Sequence, residues 1–295
     1  MADGLAARVL VKLLSGASIE VSPGNARAVA ALRDRFSPGT EVFINFLPDT
    51  QHRTVVETAM ALRAANYEPV PHVVARAFSS AEVLGDFLAR LTGEAKVDRV
   101  LLIAGDRPKP AGPYTMSLDV IESGLLQKHG VKAVGVAGHP EGHPTVDAAT
   151  LEAALAAKHK SATTAGLNLF VVTQFGFDAA PIFSWLSRTR ALGIEAPVRI
   201  GAAGPASIAT LVKYSMRCGV GNSLRVLKSR PNMVGGLLGK AGPDELLRDL
   251  SDGLASTADA RVEKIHFFPF GGVGETGDFV ARTLGSLAQD VVPGR

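Results

Sequence analysis

Eight strand-length apolar runs, each followed by a helix-length segment, predict an α/β chain folded as a (β/α)8 TIM barrel. Three observations carry that expectation. Strands and helices alternate along the whole chain, with no domain-sized break in composition, so residues 1–295 read as one barrel domain with a short N-terminal helix. The clearest run, Val100–Ile103 in VLLIAGDRP, shows no polar alternation, as a strand buried on both faces of a parallel sheet requires. Six runs also end in groups that can bond a ligand or move a proton: Glu20, Asn45, His72, Asp106, the His139–His143 segment and Gln174. Chemistry collects at such carboxyl ends in barrels. The same alternation also allows an open, doubly wound sheet.

Taken in order, residues 4–14 form an amphipathic helix and Ser18–Val21 the first strand, ending at Ser-Pro-Gly. An Ala-rich helix over Asn25–Phe36 leads to Glu41–Leu47, then a helix over Arg53–Asn66. Val70–Ala75 is the third strand, and Ser79 can cap the helix Ser80–Leu91. After Val100–Ile103 comes a helix near Ser117–His129, the strand Ala133–Ala137 and a long Ala-rich helix over Ala148–Thr163. Leu169–Thr173 precedes the helix Pro181–Leu192, where proline suits an early position. Val198–Ala202 precedes Ser207–Cys218, and an irregular Gly-rich stretch runs from Gly219 to Gly242. A helix over Asp244–Leu254, the strand Lys264–Phe268 and a helix near Asp278–Leu287 close the chain. Trp185 and Phe183 fall on an amphipathic face and read as packing.

Composition narrows the function. With 46% hydrophobic and 20% charged residues, the chain can bury a large core. A net charge of +3, with no basic run interleaved with aromatics, argues against nucleic acid. The single cysteine, Cys218, excludes an internal disulfide and a Cys-rich metal cage, and fits a reducing compartment. Asp3, Arg8 and Lys12 break the N-terminal apolar run, and no stretch approaches the ~20 apolar residues of a membrane span. The expectation is a soluble cytoplasmic protein; a homo-oligomer is allowed.

Glu20 lies between Ile19 and Val21, so its carboxyl group is expected to be poorly solvated, with a raised pKa, and able to donate a proton near neutral pH. An ion pair with a neighbouring arginine is the other reading. Gly105 lets the backbone pass close to a ligand just before Asp106, the second carboxylate. His139 and His143 have zinc-like spacing, but Pro140 and Gly142 forbid the helix that would align them; a loop presenting two imidazoles to a polar ligand is expected instead. Gly271, Gly272 and Gly274 suit either a phosphate-binding turn or a tight turn alone. There is no P-loop, and Gly201–Gly204 (GAAG) falls short of a dinucleotide fingerprint.

AGD at 104–106, VAGHPEGHP at 136–144, AG at 165–166 leading to VTQFGFD at 172–178, and IHFF at 265–268 together resemble the methylenetetrahydrofolate reductase family. The resemblance implies a barrel that holds FAD and passes hydride from NADH or NADPH, through the flavin, to 5,10-methylenetetrahydrofolate, giving 5-methyltetrahydrofolate. It implies that Glu20 protonates the folate nitrogen, that Asp106 lies near the flavin, and that Gln174 hydrogen-bonds the substrate. It also implies that His72 and His143 contact FAD and that Lys160 stands near the family's diphosphate-binding lysine. The family's arginine before Gly-Asp is Ala104 here, and Arg76 is the cation offered in its place. Asn45-Phe46 stands where the family has Thr-Tyr, His139 replaces a loop tyrosine, and the arginine after the last strand is missing. Two other readings compete: a flavin subunit dependent on an electron-donor partner, and a barrel isomerase or lyase binding a phosphorylated metabolite at Gly271–Gly274.

Overall fold

A computed structural model describes residues 2–218, 220, 240–257 and 260–291. The strands are β1 (Ser18–Val21), β2 (Glu41–Ile44), β3 (Glu68–Val74), β4 (Arg99–Ile103), β5 (Ala133–Gly138), β6 (Asn168–Thr173), β7 (Val198–Ala203), the short β8 (Ala206–Ser207) and β9 (Lys240–Ala241), and β10 (Val262–Phe268). Eight of them close a barrel in the order β1-β10-β7-β6-β5-β4-β3-β2, while β8 and β9 pair separately and antiparallel. Neighbours such as β3 and β4 run parallel, with His72 in register with Leu101. The helices between them are α1 (Ala2–Ser15), α2 (Ala26–Leu32), α3 (His52–Ala64), α4 (Ala81–Glu94), α5 (Ser117–Glu122), α6 (Leu125–Lys128), α7 (Ala148–Thr164), α8 (Ala179–Ala191), α9 (Ile208–Cys218), α10 (Asp244–Ser256) and α11 (Val273–Val291). The expected (β/α)8 barrel is the fold.

The chain packs as two compact units. One comprises Glu20–Gly138 with Glu152–Val172. Its core is Phe43, Val70, Leu101, Phe170 and Val172, contributed by β2, β3, β4 and β6. Burying each of these side chains stabilises the fold by about 1.5–3 kcal/mol. Gly135 completes that core by having no side chain: a Cβ there would lie 2.4 Å from the Phe170 ring and 2.8 Å from Leu101. At the other end of these strands the polar groups are paired, with Arg99 Nη1 donating to the buried Glu41 Oε1 at 2.6 Å. The other unit comprises Met1–Ile19, His139–Leu151 and Thr173–Arg295. Its core joins Phe175, Phe177, Ala203, Ala206 and Leu211, and α1 packs there against α10 and α11. Trp185 is buried, and Phe183 fills the space above Gly253, so both serve packing as expected.

Four local expectations are corrected. The helix before Phe36 stops at Leu32, and Asn25 caps its start by accepting from Ala28 N at 3.0 Å. Ser80, not Ser79, caps α4, accepting from Val83 N at 3.3 Å. The segment Ser117–His129 is two helices, because Gly124 takes a left-handed φ of 72° and interrupts the hydrogen-bond ladder. The last helix begins at Val273, five residues before Asp278. Of the Gly219–Gly242 stretch, β9 pairs with β8, and most of the remainder lies outside the described residues.

Candidate active site

β1, β2, β3 and β4 are successive neighbours in the ring, and the chain places a polar or flexible group at or near the end of each. Alternation directs every second residue of a strand to one face. Glu20 and His72 meet: Nε2 of His72 lies 3.3 Å from Oε1 of Glu20, and their side chains are 13% and 8% exposed respectively. The expectation of a poorly solvated Glu20 stands, and the group it meets across β2 is an imidazole. Phe43 stands edge-on to the His72 ring, centroids 6.3 Å apart, and limits its rotation. Asn45, just past β2, donates through Nδ2 to Ser22 Oγ at 3.4 Å, and its backbone N–H reaches Val21 O at 3.1 Å. Two buried polar atoms here, Asn45 Oδ1 and His72 Nε2, make no aligned hydrogen bond among the described residues.

The segment after β4 turns sharply. Gly105 adopts φ +90°, and a Cβ there would fall 2.3 Å from Val74 Cγ1, so only glycine fits. Ala104 O accepts from Arg76 N at 3.0 Å. Asp106 is exposed and makes no ion pair or hydrogen bond among the described residues. Arg76 donates from Nε to Thr115 O at 2.8 Å and from Nη1 to Arg107 O at 3.0 Å. Its charge therefore fastens the loop after β4.

On α7 the two lysines differ by their phase around the helix. Lys160 is exposed and lines a cavity with Glu122, Gln127 and Ser161. Lys158 shares a face with the two buried residues Leu155 and Ala162. Burial pulls the Lys158 ammonium below its ordinary pKa. Sequence reading missed Lys158, because alanines all round α7 leave its inward face unmarked until Leu155 and Ala162 are seen buried.

In the other unit, Gln174 follows β6 directly, and its Oε1 accepts from Phe175 N at 3.1 Å, leaving the amide nitrogen as its donor. Thr173 Oγ1 accepts from Gly201 N at 2.8 Å, fixing the end of β6 against β7. His139 and His143 stand edge to face, ring centroids 5.4 Å apart, in a loop where Gly142 has φ +88°. His143 is exposed and its Nδ1 accepts from Thr145 N at 3.3 Å. Among the described residues no group of three or more His, Cys, Asp or Glu side chains could hold a metal ion. No described helix is long and apolar enough to cross a membrane. The glycines after β10 are explained by a turn: Gly272, at φ +111°, donates to Pro269 O at 2.8 Å, and a Cβ on Gly271 would strike Pro205 O.

Comparison with known families decides what kind of enzyme carries these residues. The family model of methylenetetrahydrofolate reductase matches residues 30–219, well over half of the chain. The chain belongs to that family. Asn45, His72, Arg76, Ala104–Asp106, His139, His143, both α7 lysines and Gln174 all lie inside the matched span, whereas Glu20 and β10 lie outside it. Among solved structures the chain is similar to dihydropteroate synthase from Thermus thermophilus, with 15% identity over 90% of this chain and 91% of that one, and a TM-score of 0.48. Membership of the reductase family makes the chain a folate-related reductase at the level of the family.

Proposed function

We propose that this chain is a cytoplasmic, single-barrel reductase that uses FAD to reduce 5,10-methylenetetrahydrofolate to 5-methyltetrahydrofolate at the expense of NADH or NADPH. The observation that carries the reading is Glu20, its side chain 13% exposed, beside His72 in a member of this family.

The residues fit the flavin. Asn45 Oδ1 and His72 Nε2 are buried polar atoms that the hydrogen-bonding edge of a planar heteroaromatic ring would satisfy. Gly105 removes the side chain that would otherwise stand beside Val74, so ligand and backbone can approach closely. FAD, when bound, supplies the two-electron carrier between the nicotinamide and the folate. Lys158, rather than Lys160, is the α7 cation suited to its diphosphate, because it lies on the buried face of the helix. Arg76 acts through the loop: it holds the carbonyls of Arg107 and Thr115, which set the course of the chain around Asp106.

Glu20 acts as the general acid. Its carboxyl group, facing His72, gives a proton to the folate nitrogen as the one-carbon bridge opens to an iminium ion. Gln174 orients the substrate with its free amide N–H2. Asp106, open to solvent, contributes its carboxylate near the reacting rings.

An anaerobic experiment tests this. The purified chain should be yellow with bound FAD, bleach with NADH or NADPH, and regain its flavin absorbance when methylenetetrahydrofolate is added. A colourless protein with no affinity for FAD, or a reduced flavin indifferent to the folate, overturns it.

A further inference from the structure

The segment between β4 and α5 is long, yet firmly held. Ala111 N donates to Arg76 O at 3.0 Å, so the backbone of Arg76 grips the segment as well as its side chain. A Cβ on Gly112 would lie 2.3 Å from Ser79 O, which presses this part of the chain directly against the backbone before α4. Asp119 Oδ2 accepts from Thr115 N at 2.6 Å and from Met116 N at 3.0 Å. Pro108, Pro110 and Pro113 restrict φ at their own positions. This frame presents cations to solvent. Arg107 and Lys109 are exposed on either side of Pro108, and neither side chain makes a hydrogen bond or ion pair among the described residues.

Arginines on the adjoining helices behave differently: Arg53 on α3 pairs with Glu57 at 2.7 Å, and Arg90 on α4 with Glu94 at 2.7 Å. Arg107 enters the clasp only through its carbonyl oxygen, which leaves its guanidinium to the solvent. Asp106, the carboxylate beside it, is paired with neither cation. The segment leaves the carboxyl end of β4, next to the strand that carries His72, and in barrels such segments border the site. A planar guanidinium and a compact ammonium two residues apart suit a group with several anionic oxygens. Because the backbone beneath them is already fixed, little ordering accompanies binding.

We propose that Arg107 and Lys109 form a receptor for the anionic end of a substrate, a phosphate or clustered carboxylates carried at a distance from the reacting ring. Two sources of that chemistry belong to the reaction proposed above: the 2′-phosphate that distinguishes NADPH from NADH, and the glutamate carboxylates of the folate. The inference rests on that reading for its choice of substrates, and extends it to residues that take no part in proton or hydride transfer.

Binding to the full-length protein tests it without turnover. Calorimetry compares adenosine 2′,5′-bisphosphate with AMP, and pteroylpentaglutamate with pteroylmonoglutamate. Wild type should prefer the more anionic member of one pair by about tenfold, the scale of two partly solvated charge contacts. Arg107→Ser/Lys109→Ser should abolish that preference and keep the affinity for the other member; it retains the carbonyl of Arg107 and so the clasp. Lys128→Ser/Lys132→Ser removes the same charge from exposed positions on α6 and before β5, and should leave the preference intact. Collapse within the nucleotide pair assigns the receptor to the 2′-phosphate, and collapse within the folate pair to the glutamates. No preference in either pair, a preference that survives in the Arg107/Lys109 variant, or an equal loss in the Lys128/Lys132 variant overturns the proposal. The reductase reading is decided separately, by reoxidation of the flavin. A preference that collapses as expected in a protein inert to methylenetetrahydrofolate would leave the receptor standing and remove only the reaction.

Discussion

Arg76 donates to the carbonyl of Thr115 across 39 residues of chain, at 2.8 Å, and to that of Arg107 at 3.0 Å. The cation that follows β3 is thus the clasp of the loop that follows β4. Arg76→Ala should loosen residues 104–116, seen as faster amide exchange there, with a stability loss of about 1 kcal/mol because the site is partly solvated. Flavin occupancy should fall with the loop. An unchanged exchange rate in that segment would remove Arg76 from this role.

The two lysines of α7 should respond differently. Lys158→Gln is expected to weaken FAD binding by roughly tenfold, equivalent to the loss of one charge-assisted contact of about 1.4 kcal/mol. Lys160→Gln, on the exposed face, should change it less than about twofold. Titration of the apoprotein with FAD, followed by flavin fluorescence, checks both, and equal effects would contradict the assignment.

Glu20→Gln should keep FAD and still accept hydride from the nicotinamide, yet lose folate reduction by about two orders of magnitude, the scale of a missing general acid. Gln174→Ala should act mainly on folate affinity. Stopped-flow measurement of each half-reaction separates the two, and near-normal folate turnover in Glu20→Gln would exclude Glu20 as the acid.

His52 opens α3 and stacks on Phe78, ring centroids 4.7 Å apart, with Phe87 at 4.9 Å. Burial lowers its pKa from the ordinary 6.5, and Asp86 opposes that only in part. Below about pH 6.5 the unfolded chain therefore binds a proton that the folded chain resists. The stability due to a neutral His52 is complete above that pH and is lost as acid carries the pH down through the lower, folded-state value. His52→Phe should keep the stack and flatten the fall in denaturation midpoint between about pH 7 and about pH 5. An equally steep fall would place the acid sensitivity elsewhere.

Arg99→Met should cost about 1–3 kcal/mol, because it removes a charged partner 2.6 Å from the buried carboxylate of Glu41. The double variant with Glu41→Leu should recover most of that loss, which urea unfolding can measure.

The strands were readable from sequence because each is sealed on both faces, as Val100, Leu101 and Leu102 are, and an unbroken apolar run has few other uses. Strand ends followed from the strands, so Glu20, Asn45, His72 and Gln174 could be nominated. Which of them touch could not, since contact between Glu20 and His72 depends on register across β2. The α7 lysines were confused for a different reason. Alanines occur all round that helix, so its apolar stripe carries no contrast, and the inward face shows only once Leu155 and Ala162 are seen buried. Gly124 was a visible breaker inside Ser117–His129, but a single glycine fixes neither whether a helix ends nor where it resumes.

Residues 135 and 170 occupy what is in effect one allotment of volume, divided so that the first has none and the second a whole benzyl group. Enlarging position 135 to alanine would be tolerated only if position 170 shrank, to leucine for example, and neither exchange would succeed by itself. Relatives that carry a methyl-bearing residue at the first position should accordingly carry a smaller one at the second, a compensating swap that ties two strands into a single unit of inheritance.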